Sequence, residues 1–212
     1  MKCFLSHDAT KTDLSEYLAE KLVHMDTTKH VIVYTGGRTT SSVPGMIFNE
    51  NNHEEADTLM IRHAFMANDR NSSISELTIM SPDTGVLFLA IANCESLPQL
   101  TTIKMLSGEL NIKQIWLALG QDKACALPAF HTFSGADNIG KFCKIGKARW
   151  FKLFLNTSSD IISTFQLTLK VDEVSDDVIQ SLAQFVCQAY CLKGINIDSI
   201  VELRWYLFPS YG

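Results

Sequence analysis

The apolar positions of the chain fall into alternating short runs and helical stripes. In TKTDLSEYLAEKLVHM (10–25), Leu14, Tyr17, Leu18 and Leu22 recur at intervals of three and four, which predicts an amphipathic helix with Thr12 or Asp13 as N-cap. HVIVYT (30–35) is a β-branched run stopped by Gly36 and Gly37 and reads as a buried strand. Residues 38–50 read as an irregular connector with a brief strand around Met46 to Phe48. From 53 to 67, Ala56, Leu59, Met60, His63, Ala64 and Ala67 repeat at helical spacing. ELTIMS (76–81) predicts a second buried strand, and DTGVLFLAIANC (83–94) a helix directly behind it. A third strand is expected over 101–106, closed by Gly108, followed by a helix from about IKQIWLALG to Cys125.

This alternation predicts an α/β fold with a mainly parallel sheet flanked by helices. Beyond Pro128 the pattern changes. KFCKIGKARWFKLFL, DVIQSLAQFVCQAYC and IDSIVELRWYLF are helix-like, with no strand between them. The expected division is an α/β domain over 1–140 and a helical extension over 141–212. The sequence has no internal repeat.

Composition narrows the function classes. Of the 212 residues, 46% are apolar and 19% charged, as in an ordered globular chain rather than a disordered one. A net charge of −5 excludes a surface that is basic throughout, so any polyanion contact must come from a local patch. No run approaches the ~20 apolar residues of a membrane span, and MKCFLSHDATKTDL lacks a signal-peptide core. An intracellular protein, nuclear or cytoplasmic, with no membrane contact is the expectation. Six cysteines stand without C-x-x-C pairs, which favours buried thiols over a zinc site or disulfide framework. YTGGRT lacks the Lys-Ser/Thr of a phosphate loop, so no nucleotide cofactor is expected.

Three acidic spots stand where helix starts would follow strands: Glu54, Glu55 and Asp57 in NNHEEADT, Asp83 in SPDTG, and Asp137 in FSGADNIGK. Carboxylates brought together from separate segments suit hard divalent cations such as Mg²⁺ or Mn²⁺. The same acids also have a purely structural explanation. Asn52 and Glu55 form a capping-box-like pair, Asp83 is a good N-cap, and Asp137 is a good turn residue. Spacing alone favours the structural explanation. A second feature is basic: Lys141, Lys144, Lys147, Arg149 and Lys152 lie within twelve residues, and no acid occurs between Asp137 and Asp160. There Gly146 precedes a helix whose N-terminal N–H groups could hold a phosphate. A solvated helix face would look the same. His53, His63 and His131 are acid/base candidates by residue type only, and His63 lies on an apolar stripe.

The ordered blocks HEEADT, SPDTG and FSGADNIGKFCKIGKARW resemble the latter part of PIN-like nuclease domains of the flap-endonuclease (XPG-like) class. They look still more like a group of multicopy animal proteins with H-E-E-A-D-T, S-P-D-T-D and F-x-G-x-D blocks. The resemblance spans about 30–155 for the nucleases and about 12–208 for the second group. It implies a PIN-like fold descended from a structure-selective, divalent-metal-dependent endonuclease. Glu55, Asp57, Asp83 and Asp137 would be the catalytic, metal-holding (Mg or Mn) acids. Lys141, Lys144, Gly146, Lys147 and Arg149 would grip a DNA or RNA backbone. Two departures accompany the likeness: Gly85 stands where a D-x-D second acid would be, and the family's N-terminal acids have no counterpart here. A noncatalytic scaffold, or a nucleic-acid binder that does not cleave, is the alternative.

Overall fold

A computed structural model describes residues 7–35, 37–44, 56–70, 75–136, 140–191 and 195–210. The chain divides into two compact units, 1–54 and 55–212. Among the described residues, no helix is long and apolar enough to cross a membrane.

The first unit contains α1 (Asp8–Val23) and a hairpin of β1 (Ile32–Thr35) and β2 (Arg38–Ser41). Several expectations change here. Residues 38–41, read as part of an irregular connector, form β2, and the brief strand expected around Met46 to Phe48 lies outside the described residues. HVIVYT does not join a parallel sheet among the described strands: β1 pairs antiparallel with β2, with Thr35 opposite Arg38. Gly37, at φ +78°, sits in the intervening turn, and Gly-Gly between two strand-forming runs is a hairpin signal in its own right. The apolar stripe of α1 is also not a core face. Ala19 is its one buried residue, while Tyr17, Leu18 and Leu22 are exposed. Its N-cap is His7, without a side-chain hydrogen bond, rather than Thr12 or Asp13.

The second unit is mixed α/β. Its elements are α2 (Ala56–Arg70), β3 (Glu76–Met80), α3 (Thr84–Ala92), β4 (Leu100–Met105), β5 (Gly108–Asn111), α4 (Ile112–Leu119), α5 (Gln121–Gly135), α6 (Lys147–Asn156), α7 (Ser159–Thr168), α8 (Asp176–Tyr190) and α9 (Ile200–Leu207). The sheet order is β3-β4-β5, with β3 and β4 parallel and β4 and β5 antiparallel. The expected mainly parallel sheet is thus, among the described strands, a mixed one. Gly108 does not merely end β4. At φ +135° it opens β5, with Met105 opposite it across a tight turn.

Helix α3 is apolar almost all round because it packs against α2, α4 and α5. The small buried residues Ala124 and Ala126, beside Leu127, allow α5 a close approach to its neighbours. The stripe of four apolar positions after Asn111 ends at Gly120, whose φ of +77° separates α4 from α5. Pro128 does not end α5; the helix runs through it to Gly135 because its buried face is held on both sides of the proline.

After residue 140 the described chain is helical, as expected, with one addition: Ser159–Thr168 forms α7. These helices share the core of the sheet. Phe130 stacks on Phe154 (4.4 Å between ring centres), Phe165 stands edge-on to Phe130 (6.0 Å), and Trp150 lies 4.9 Å from Phe142. Trp150, Phe154 and Phe185 are fully buried.

Candidate functional site

Strand β3 continues its ladder one residue beyond Met80, where the Ser81 N–H donates to the Lys104 carbonyl (3.1 Å). The Asp83 N–H then donates to Ser81 Oγ (3.1 Å), and Asp83 Oδ1 accepts from the Gly85 N–H at 2.7 Å. Asp83 is therefore the N-cap of α3, at φ −82° and ψ 131°. The structural explanation of this acid holds, and it occupies one carboxylate oxygen.

Packing adds what spacing could not supply. A Cβ built on Gly85 would stand 3.0 Å from Asp57 Oδ2, 3.2 Å from Asp83 Oδ1 and 3.5 Å from His131 Nε2. Asp57 comes from the first turn of α2, Asp83 from the β3–α3 junction, and His131 from α5. Three titratable side chains from three elements thus surround one small gap at the carboxyl end of β3, where ligands gather in open α/β sheets. The gap exists because residue 85 has no side chain.

The wall of this gap is aromatic. Phe88, one turn after Gly85, meets the His131 ring edge-on (5.2 Å, 81°) and stacks on Phe151 at 6.1 Å. Behind Phe88, an apolar cavity of about 250 Å³ lies against Ile91, Leu119 and Leu127. The second ring nitrogen of His131, Nδ1, lies 3.5 Å from Lys147 Nζ. Lys147 is the first residue of α6, so the acidic gap and the basic segment adjoin through one imidazole.

The basic segment has a clear local logic. Phe142 and Ile145 pack into the core, while Lys141, Lys144 and Lys147, at the same three-residue spacing, remain exposed. The Tyr190 hydroxyl donates to the Cys143 carbonyl (2.7 Å) and ties the segment to α8. The stem of Lys141 lies over Gly135, where its Cγ is 3.0 Å from the position a Cβ would take; Gly135 itself has φ +108°. Lys144 adopts a left-handed conformation at φ 60°, a strain of about 1–2 kcal/mol for a residue with a Cβ. Gly146 is the N-cap of α6 but is not needed for space or φ. The first turn of α6 has no acid and no side-chain cap, and it carries Lys147 and Arg149. Helix dipoles disfavour cations there by roughly 0.3–1 kcal/mol each, so local stability does not explain this choice of residues.

Of the acids singled out in the sequence, Asp57 and Asp83 come together, whereas Glu55 and Asp137 lie outside the described residues. Lys141, Lys144, Gly146, Lys147 and Arg149 form one exposed edge, and only Lys147 is tied by a described hydrogen bond to the acidic gap. His131 belongs to the cluster although the sequence distinguished it by residue type alone; a polar side chain on the otherwise apolar stretch ALPAFHTF was the available signal. His63 stays apart from these groups, half-buried in α2, where burial and then the Arg62 charge lower its pKa below the usual 6.5.

Among the described residues, no three of His, Cys, Asp and Glu stand close enough to hold a metal ion. Two carboxylates facing a gap that a single Cβ would fill still suit Mg²⁺ or Mn²⁺, since Mg²⁺ is usually held by one or two carboxylates together with waters and substrate phosphates. Compared with protein-family models, curated proteins and solved structures, the chain matches none of them.

Proposed function

We propose that the chain is a PIN-like domain of nuclease descent, with a parallel-sheet ancestry, that binds a divalent cation and a nucleic-acid backbone and acts as a phosphodiesterase. The observation that carries this reading is the approach of Asp57 and Asp83 to one gap beside Gly85. Those two carboxylates would hold the cation, with Glu55 and Asp137 as the further acids the resemblance assigns to it. When bound, the cation supplies Lewis acidity at the phosphate and lowers the pKa of a water molecule.

The remaining work falls to the chain itself. Lys147, beside His131, offsets charge on the non-bridging phosphate oxygens. Lys141, Lys144 and Arg149 are exposed and hold the backbone in position without reading sequence. Phe88 and Phe151 keep bulk water from the inner side of the imidazole.

One observation favours a second reading, in which the domain binds without cleaving. Gly85 stands where the resemblance places the second acid of the D-x-D block, so the described site has one carboxylate fewer than the resemblance implies. Incubation of branched and single-stranded DNA with Mn²⁺, with the wild-type chain against Asp57→Asn/Asp83→Asn, tests both readings. Cleavage by the wild type alone supports the phosphodiesterase. Metal-dependent binding without cleavage supports the second reading. Equal behaviour of both proteins in binding and cleavage overturns the two together.

A further inference from the structure

His131 occupies a position that neither the capping acids nor the basic edge accounts for. Its ring lies between two groups of opposite charge: Lys147 Nζ is 3.5 Å from Nδ1, and Nε2 faces the gap that Asp57 Oδ2 and Asp83 Oδ1 line. An ammonium group has three donors and no lone pair, so in this contact Nδ1 can act only as acceptor. A neutral imidazole that accepts at Nδ1 carries its proton on Nε2. The edge-on contact with Phe88 fixes the ring plane, so the N–H cannot simply turn toward solvent.

We propose that His131 is a positioning residue of the acidic site, set by Lys147 in its Nε2–H form so that this N–H is presented to the Asp57–Asp83 gap. Lys147 then has two roles: it attracts phosphate oxygens and, through His131, orders the carboxylates. A donor presented to the gap the two acids line would restrain their rotation and screen their mutual repulsion, which prepares them for a cation and its phosphate. Outer residues of this kind are worth about 10–100-fold in metal affinity when removed. The role as cation site rests on the proposed function; the tautomer and its dependence on Lys147 do not.

The test is ¹⁵N NMR of the histidine rings in the full chain at neutral pH without metal, with His131 assigned by comparison with His131→Gln. In the wild type, His131 is expected in the Nε2–H form, and in Lys147→Met its ring resonances are expected to shift toward a mixture of tautomers. An Nδ1–H form in the wild type, or an unchanged tautomer in Lys147→Met, overturns the proposal. A Mn²⁺ titration provides the second arm. His131→Phe should weaken Mn²⁺ binding by at least about tenfold, while His131→Gln, which retains an N–H donor, should recover part of it. Equal affinity in the wild type and His131→Phe overturns the positioning role. Wild-type protein that binds no Mn²⁺ but shows the expected tautomer response removes the cation-site reading and leaves the Lys147–His131 coupling standing.

Discussion

Gly85 in α3 faces Asp57 in α2 so closely that a methyl group on the glycine would stand 3.0 Å from the Asp57 carboxylate oxygen. The missing side chain keeps open a space that two acids and an imidazole share. In the fold this glycine lies against both the Asp57 and the Asp83 carboxylates.

Filling that space gives a direct prediction. Gly85→Ala, in the first turn of α3, should gain less than the roughly 1 kcal/mol of a helix interior, offset by contacts with Asp57 Oδ2 (3.0 Å) and Asp83 Oδ1 (3.2 Å), so that the thermal midpoint moves by no more than about 4 °C. Mn²⁺ binding, followed by electron paramagnetic resonance, should fall at least about tenfold. Retained affinity with retained fold would remove the gap from the site.

The two roles of Asp83 can be separated. Asn is as good an N-cap as Asp, so Asp83→Asn should leave urea stability nearly unchanged, whereas Asp83→Ala should cost about 1 kcal/mol. Both should lose cation binding. If Asn binds Mn²⁺ as well as Asp does, the side chain is only a cap.

Lys144 links conformation to partner binding. At φ 60°, Lys144→Gly should release about 1 kcal/mol of strain in chemical denaturation. It should also reduce the salt dependence of binding to single-stranded DNA by about one counterion, a slope change of about 0.7. Lys144→Gln should change the salt slope alone. An unaltered slope in both variants would place Lys144 outside the interface.

His63 predicts a pH effect on stability. Its pKa in the folded state is lowered by burial and the neighbouring Arg62 charge, while the unfolded chain titrates near 6.5. The unfolded state therefore takes up its proton first as pH falls. The contribution of neutral His63 is fully present above about pH 6.5 and is lost progressively as pH drops below it. Urea unfolding of wild type and His63→Gln from pH 7.5 to 5 should give a steeper acid loss in the wild type. Parallel curves would show that His63 titrates alike in both states.

Trp150 and Phe154 contrast two kinds of core residue. The Trp150 indole nitrogen is buried without a hydrogen-bond partner among the described residues, whereas Phe154 is wholly apolar and stacked on Phe130. Phe154→Ala should cost about 3–5 kcal/mol. Trp150→Phe relieves the unpartnered N–H, worth about 1–3 kcal/mol, against the cavity it leaves, and should cost clearly less in calorimetry. A cost for Trp150→Phe as large as that of Phe154→Ala would show that the cavity left by the indole outweighs the relief of its N–H.

Much of the second unit was legible from periodicity. β3, α3, β4 and the helical character after residue 140 follow from short apolar runs, helical stripes and the N-cap Asp83, whereas the break at Gly120, which splits the expected helix to Cys125 into α4 and α5, was not expected. Nearest-neighbour patterning determines such elements because each depends on a face only a few residues long. The partners of those faces were not legible. The stripe Tyr17, Leu18 and Leu22 has the same spacing as a core helix, yet it is solvent-exposed, and α7 emerged without having been singled out. Pairing is likewise non-local: HVIVYT reads as a strand either way, and the Gly-Gly turn, rather than the run itself, gives it an antiparallel neighbour.

The candidate site divides along the same line. The sequence alone determined that acids open two helices, that Asp83 is suited to cap one of them, and that lysines follow one another every third residue from 141 to 147. Only the tertiary structure decided that Asp57, Asp83 and His131, separated by up to 74 residues, share one gap and that Lys147 touches its imidazole. The physical reason is that spacing fixes which side chains share a face of one element, whereas convergence between elements depends on how α2, α3, α5 and α6 bury their apolar faces against one another.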